Sequence, residues 1–360
     1  MNRIIFGGAF DPVHNGHINM AEKAAKSLNG QVIFVPARIS VWKKVSAPVG
    51  DKIEMLRLAI KNHPDFSIDE YEINSEKDIN YSIDTVKYFK NKYPSDKLFY
   101  LIGSDQVNEF HRWKDALDLS KLVQLVYYTR PGIALNQDNI KEFNMLEIDG
   151  GGIDVSSTEI RELLNFELPD DILIYIAEHD LYEGMAKIKN IETDHRLAHS
   201  KSVARLAYQI AKANNVKNPI RAFIASLFHD IGKDIPLEEQ QKLTEEAYPE
   251  YADCPKFAFH QFAGAALAHR MFKIDDAEIL EAIEFHSTGN ENMSELAKII
   301  YASDKIEPTR GFDSSDLINA MMKNVDSGFK TVLQANKDFL LSQGKSIENP
   351  LTCKCFNQYL

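Results

Sequence analysis

The stretch IIFGGAFDPVHNGH, residues 4–17, decides how the first half of the chain reads. Ile4 to Phe6 form a short, continuous β-branched and aromatic run, the pattern of the end of a buried parallel strand. Gly7 and Gly8 then let the backbone turn sharply and approach a ligand with no Cβ in the way. Asp11-Pro12 breaks the extended run, and a helix can begin near Asn15 or Gly16. That places His14 and His17, three apart, at a helix N-terminus, where free N–H groups and the macrodipole favour anions. A strand, a glycine turn and two imidazoles over an anion site point to nucleotide phosphate chemistry. The same two histidines also fit the surface of an ordinary strand-to-helix turn.

Outward from this stretch, strands and helices alternate. Residues 31–36 (QVIFVP) read as a second buried strand, and residues 52–60 as a helix with Ile53, Leu56 and Ile60 on one face. Residues 66–73 read as a strand, and a helix opens at Tyr81. Residues 98–102 (LFYLI) form another buried strand ending in Gly103, Ser104 and Asp105, and residues 123–128 another. In an open α/β sheet, ligands sit beyond the C-terminal ends of the strands, so the loop after residue 102 joins the first one there. Ser156 and Glu159 fit a capping box, so a short helix begins at that point. Its N-terminal hydroxyls and N–H groups, with Arg161, make a second phosphate cradle.

These residues resemble the signature of the nucleotidyltransferases related to class I aminoacyl-tRNA synthetases. Within them, the match is to the bacterial nicotinate-nucleotide adenylyltransferase family, over roughly residues 1–183. The resemblance implies a Rossmann-like domain with a parallel sheet. It implies ATP, carried with Mg, and nicotinate mononucleotide as partners, with His14 and His17 holding the triphosphate and stabilising charge at the α-phosphorus. Catalysis there is positioning plus electrostatics, with no protein nucleophile. Lys43, in a loop with Trp42 and Lys44, matches the family's mobile cation, although Trp42 stands where the family often has histidine. Gly7, Gly8, Phe10, Gly16, Thr85, Gly103, Asp105, Trp113, Ser156, Ser157 and Arg161 are the implied binding residues, with Trp113 as an aromatic platform for the pyridine ring.

Composition bounds the alternatives. At 360 residues the chain is long enough for two domains, and 44% hydrophobic content supplies two cores. No run approaches the roughly 18–20 apolar residues of a membrane span. The start, Met-Asn-Arg followed by a core strand, has no signal-peptide plan. Cys254, Cys353 and Cys355 form no disulfide framework and suit a reducing cytoplasm, the last two as free thiols on a frayed terminus. Lys and Arg number 41 against 53 Asp and Glu, a net charge of −12 that disfavours general nucleic-acid binding. Small anionic substrates remain possible wherever cations or a metal cluster locally.

After Glu183-Gly184 strand-like runs vanish and helical periodicity takes over. The expected domains are 1–185, an α/β unit; 186–342, an all-α bundle; and 343–360, a C-terminal tail. His199, His229, Asp230, His260, His286 and Asp304 fall in or beside separate helical patterns. Six imidazoles and carboxylates without cysteine suit a metal centre inside a bundle, although any one of these histidines alone fits a core or surface position.

The ordered set, with residues 227–233 (LFHDIGK), His260-Gln261, residues 284–289 (EFHSTG) and residues 304–310 (DKIEPTR), resembles the HD superfamily of metal-dependent phosphohydrolases. It is most similar to the bacterial HD-domain hydrolases that split diadenosine tetraphosphate into two ADP. The resemblance implies two divalent ions, iron and manganese among the candidates. His199, His229, Asp230 and Asp304 would hold one, and His260 and His286 the other, with Asp230 bridging. Lys233 and Arg310 would bind phosphate. Other substrates stay open: phosphopantetheine for the first domain, a nucleotide or cyclic dinucleotide for the second. So does a regulatory role for either domain.

Overall fold

Six parallel strands form one sheet: β1 (Asn2–Gly8), β2 (Gly30–Pro36), β3 (Phe66–Ile68), β4 (Lys97–Gly103), β5 (Gln124–Tyr128) and β6 (Leu146–Ile148). Their order is β3-β2-β1-β4-β5-β6. The order reverses between β1 and β4, which pair in parallel from Asn2↔Lys97 to Ile5↔Tyr100. A crevice at the C-terminal ends of these two strands is the expected ligand position of a doubly wound sheet. This computed structural model describes residues 1–38, 47–77, 79–129, 134–148, 151–345 and 347–360. The chain divides into two compact units, Met1–Tyr182 and Glu183–Leu360.

Among the described residues, eight α-helices belong to the first unit: α1 (Asn15–Leu28), α2 (Val49–Ile60), α3 (Ser82–Lys92), α4 (Ser104–Glu109), α5 (Ala116–Leu122), α6 (Gln137–Glu142), α7 (Ser157–Arg161) and α8 (Asp170–Glu178). Ile5, Ile33, Val35, Tyr100, Ile102 and Leu125 of the sheet pack with Val86, Phe89 and Leu119 of the helices. The near-continuous apolar strands are what a sheet covered on both faces requires. One expectation is corrected: the strand after Phe66 stops at Ile68. Asp69 Oδ1 accepts from the Tyr71 backbone N–H at 3.0 Å, an Asx turn that competes with the sheet ladder.

The second unit is helical: α9 (Tyr182–Ile191), whose first residue still belongs to the first unit, α10 (Asp194–Ala213), α11 (Ile220–Phe228), α12 (Leu237–Ala247), α13 (Phe259–Phe272), α14 (Ala277–Glu284), α15 (Glu295–Ile306), α16 (Ser315–Lys323), α17 (Val325–Ser342) and α18 (Pro350–Tyr359). It contains no strand among the described residues. An α/β unit followed by an all-α bundle is the architecture the sequence implied.

The C-terminal stretch is no frayed tail. Asn349 caps α18, and Leu351, Cys355 and Phe356 bury one face of it. The Met293 backbone N–H donates to the Tyr359 hydroxyl at 2.8 Å. Spacing of i, i+4, i+5 was the signal, and the short polar flanks hid it.

Candidate active sites

In the first unit the site grows from the end of β1. A Cβ on Gly7 would meet the Tyr100 hydroxyl at 2.6 Å, and one on Gly8 the Phe10 ring at 3.0 Å. Phe10 is buried, with φ at 45°, and its ring packs edge-on against His17. His14 precedes α1 and stacks on His17, ring centroids 3.7 Å apart. His17 Nδ1 accepts from the His14 backbone N–H at 3.3 Å. This pairing locks both rings at the helix N-terminus. Gly16 is required beside them, since its Cβ would crowd both His14 Nδ1 and Val155 Cγ1 at 3.0 Å.

The second expected cradle, α7, reaches the same loop. Ser156 and Glu159 form the capping box: Ser156 N–H donates to Glu159 Oε2 at 3.1 Å, and Glu159 N–H to Ser156 Oγ at 3.2 Å. Ser157 Oγ donates to the Pro12 carbonyl at 3.1 Å. Arg161, expected to cradle phosphate, is buried and donates to the Asp11 carbonyl at 2.8 Å and to Thr158 Oγ1 at 3.0 Å. The loop carbonyls have no strand or helix partner, and these side chains supply one. Ser157 and Arg161 therefore brace the histidine loop.

Beyond β4, a cleft of about 700 Å³ is lined by Asn80, Tyr81, Ser82, Asp105, Gln106, Arg112, Trp113 and others. A Cβ on Gly103 would meet Asp105 Oδ1 at 2.8 Å, so the Asp105 carboxylate folds back over the end of β4. Trp113 is half-buried and packs edge-on to Tyr100. Thr85 differs from expectation: it is fully buried, and its hydroxyl donates to Glu72 Oε1 at 2.5 Å. Burial pushes the Glu72 carboxyl up to about 7, against the Thr85 hydrogen bond. Lys43, Trp42 and Lys44 lie outside the described residues.

Two residues near the loop escaped the sequence reading. Asp11 is buried, and its Oδ1 accepts from the Ala47 N–H at 3.1 Å and from the Tyr182 hydroxyl at 2.8 Å. Lys52, 2% exposed, donates to the Ala37 carbonyl at 3.3 Å. Burial lowers its pKa, and the Asp11 carboxylate opposes that. The available signal was a lysine on the apolar face of α2.

In the second unit, the six expected residues converge. His199, His229 and Asp230 form one group, and Asp230, His260 and His286 another; within each, the ligand atoms lie within 4.8 Å of one another. Asp304 Oδ1 lies 3.1 Å from His199 Nε2 and 3.7 Å from His229 Nε2. Asp230 Oδ1 lies 3.3 Å from His286 Nε2 and 3.6 Å from His260 Nε2. All six side chains are buried.

Helix ends explain how they are held. His229 follows α11, His260 opens α13, and His286 lies just after α14. The Nδ1 atoms of these three bond the carbonyls three residues back, Ser226, Phe257 and Ile283, at 2.6, 2.7 and 2.7 Å. A carbonyl only accepts, so Nδ1 carries the ring proton and Nε2 turns a lone pair inward. His199 is oriented by the Glu307 carboxylate, 3.1 Å from its Nδ1. Gly232 lets the turn after Asp230 touch α13, for its Cβ would meet the His260 carbonyl at 2.5 Å.

The donor set fits a divalent metal. His229 Nε2 and Asp230 Oδ1 are buried with no hydrogen-bond partner among the described residues. His260 Nε2 and His286 Nε2 approach to 3.2 Å. Buried lone pairs converging beside carboxylates are a donor set that could hold a cation. Burial opposes charge on Asp230 and Asp304. Lys233 at the first and Lys305 at the second are among the neighbours that override it, and both carboxyls are held well below the usual range. Burial also keeps His260 and His286 neutral, as ligands must be.

Cations surround this centre. Lys233 Nζ lies 3.1 Å from His260 Nε2 and 3.7 Å from Asp230 Oδ1. Arg310 donates to Asp304 through Nη2, and to the Asp304 carbonyl through Nε at 2.8 Å. Three further residues were not singled out from sequence. Arg196 donates to Asp230 Oδ2 at 2.8 Å, so that Oδ1 turns toward the histidines. Glu307 holds His199, and Lys305 Nζ lies 2.6 Å from Asp304 Oδ2. Arg196 stands one turn before His199 on α10, a spacing that could have been read.

Residues 5–163 match the Cytidylyltransferase-like family, and residues 196–309 match the HD domain. A protein of Mycoplasma genitalium named "Probable nicotinate-nucleotide adenylyltransferase/Ap4A hydrolase" is 30% identical over 348 residues, covering 92% of this chain and 96% of that relative. One of the same name from Mycoplasma pneumoniae is 29% identical, covering 92% and 98%. An Aquifex aeolicus protein named "Probable nicotinate-nucleotide adenylyltransferase" is 38% identical over 168 residues, 44% of this chain and 99% of its own length.

Proposed function

As the chain belongs to the family of enzymes that join a nicotinate-nucleotide adenylyltransferase to an HD-domain hydrolase, we propose that it carries both activities in one polypeptide. The first unit transfers AMP from ATP, as its magnesium complex, to nicotinate mononucleotide. A phosphate oxygen of the mononucleotide attacks the α-phosphorus, pyrophosphate leaves, and deamido-NAD forms. His14 and His17, at the N-terminus of α1, bind the triphosphate and meet the charge that develops on it. Trp113 and Asp105 hold the two nucleotides in the cleft beyond β4, which positions the attacking oxygen. Lys43 completes the triphosphate site, and α7 supports the loop that carries the histidines. The observation that carries this reading is the stacked histidine pair at the strand-order reversal, braced by Arg161 and Ser157.

The second unit hydrolyses diadenosine tetraphosphate symmetrically to two ADP. His199, His229, Asp230 and Asp304, and His260 and His286 with Asp230, would hold divalent ions, which would supply Lewis acidity toward water and a phosphoanhydride oxygen. Lys233 and Arg310 bind the polyphosphate, and Arg196 fixes Asp230 so that one oxygen serves each group. Asp230 common to two buried groups is the observation that carries this half. Three free thiols, Cys254, Cys353 and Cys355, suit a cytoplasmic setting.

The test is product chromatography. Purified protein with ATP and nicotinate mononucleotide should yield deamido-NAD and pyrophosphate, and with diadenosine tetraphosphate two ADP alone. AMP plus ATP from the second substrate overturns symmetrical hydrolysis, and no deamido-NAD overturns the first assignment.

A further inference from the structure

Beside the second-unit centre lies a cavity of about 620 Å³ that no step above uses. It is lined chiefly by apolar side chains, among them Phe312, Leu317 and Phe339, with Asn336 as a polar member. Phe312 is 51% and Phe339 56% exposed, so two large aromatic rings stand in water beside one concavity. Gly311, at φ 82°, reverses the chain after Arg310 and brings Phe312 there. Two cations line the same cavity, Lys305 and Arg310, and both contact the Asp304 carboxylate. These two basic residues thus reach from the cavity to the edge of the cluster described above.

We propose that this cavity is a nucleoside subsite of the HD centre. The adenine and ribose at one end of the substrate enter it, and Lys305 and Arg310 receive the adjoining phosphates. The inference rests on the reading of the second unit as a dinucleoside polyphosphate hydrolase. Three observations select this occupant. The volume suits a small ligand rather than a protein segment, within the roughly 300–1,000 Å³ usual for such pockets. Exposed phenylalanines offer stacking faces for a base. Asn336 donates through Nδ2 to the Tyr301 hydroxyl at 2.9 Å, which fixes its amide and presents the carbonyl oxygen as an acceptor for an exocyclic amine. Apolar stacking at one end and cations leading toward the metal-ligand cluster match a nucleoside joined to phosphate.

The experiment compares the full-length metal-loaded enzyme with the double variant Phe312→Ala/Phe339→Ala and with Ala335→Trp, which fills the cavity from α17. Loss of base stacking should raise KM for diadenosine tetraphosphate and Kd for ADP by about tenfold or more, with kcat changed by less than about threefold. Inhibition by inorganic pyrophosphate, which has no base, should stay unchanged, and the thermal midpoint should confirm folding. Unchanged KM and ADP binding in both variants overturn the subsite while leaving the hydrolase reading intact. If the wild type leaves diadenosine tetraphosphate whole, the hydrolase reading falls. The ADP titration still decides the cavity: weaker ADP binding in the variants supports it, and equal or absent binding overturns it.

Discussion

The two units handle phosphate with opposite divisions of labour. In the first, side chains hold the backbone: Arg161 and Ser157 brace the carbonyls of Asp11 and Pro12, and Asp11 itself holds Ala47. In the second, the backbone holds side chains, since three carbonyls at helix ends aim His229, His260 and His286 inward. The first arrangement leaves N–H groups and imidazoles at the crevice of an open sheet. The second gathers buried lone pairs from five places in the chain. A site made of presented backbone should lose activity by degrees when one side chain goes. A site made of shared ligands should fail at once.

The sharpest trial of that contrast is Asp230→Ala. Loss of the carboxylate common to both ligand groups should lower hydrolysis of diadenosine tetraphosphate by about a thousandfold or more. Deamido-NAD synthesis, followed in the same preparation by pyrophosphate release, should be unaffected. Substantial residual hydrolysis would mean that Asp230 bridges nothing.

Next in size is His17→Ala. Removing one preorganised group at the developing charge should reduce kcat for adenylyl transfer by about a hundredfold to a thousandfold, within the range of single oxyanion-site deletions. Hydrolysis by the second unit should not change. Equal transferase rates in variant and wild type would remove the histidine pair from the chemistry.

The same division explains what could be read from the letters alone. His14, His17 and the six candidate metal ligands of the second unit stood out because their residue types suit the chemistry and sit in fixed local contexts. The strand run at Ile4–Phe6 and the helical texture after Gly184 gave the two architectures. Roles set by distant partners were hidden. Arg161 and Thr85 lie in family-like motifs, yet their hydrogen-bond partners are Asp11, Thr158 and Glu72. Only tertiary placement shows a guanidinium bracing a loop or a hydroxyl given to a buried carboxyl. Glu307 was visible in residues 304–310, but its bond to His199 spans more than a hundred residues. The helix of residues 350–359 was missed because one short apolar face has meaning only against the helices it covers.

Glu307→Gln sharpens the comparison at a smaller scale. Glu307 accepts from Ser202 Oγ at 2.7 Å and from the Thr309 backbone N–H at 2.8 Å while it orients His199. An amide keeps the shape but loses one accepting oxygen. Metal affinity should fall by about 10- to 100-fold, as for other partners of ligand histidines. Metal retained after dialysis against graded chelator reads this directly. Unaltered retention would show that His199 needs no carboxylate behind it.

The smallest effect separates the two kinds of buried carboxyl. Asp230 and Asp304 are buried among cations and held low, whereas Glu72 is buried beside Thr85 and pushed up to about 7. The unfolded chain ionises Glu72 near its ordinary value of about 4.3. Between those values the folded chain binds more protons, so its stability falls as pH rises. The contribution is fully present below about 4.3 and is lost as pH climbs through about 7, on the order of 3 kcal/mol in all. Glu72→Gln keeps an acceptor for Thr85 and removes the ionisation. The variant should match the wild type at low pH and exceed it at pH 8 (roughly a unit above the shifted value) in amide-exchange protection of the Lys97–Gly103 strand. A gap that stays constant with pH would mean that the Glu72 carboxylate ionises in place without penalty. Burial alone would then not distinguish it from the cation-paired carboxylates of the second unit.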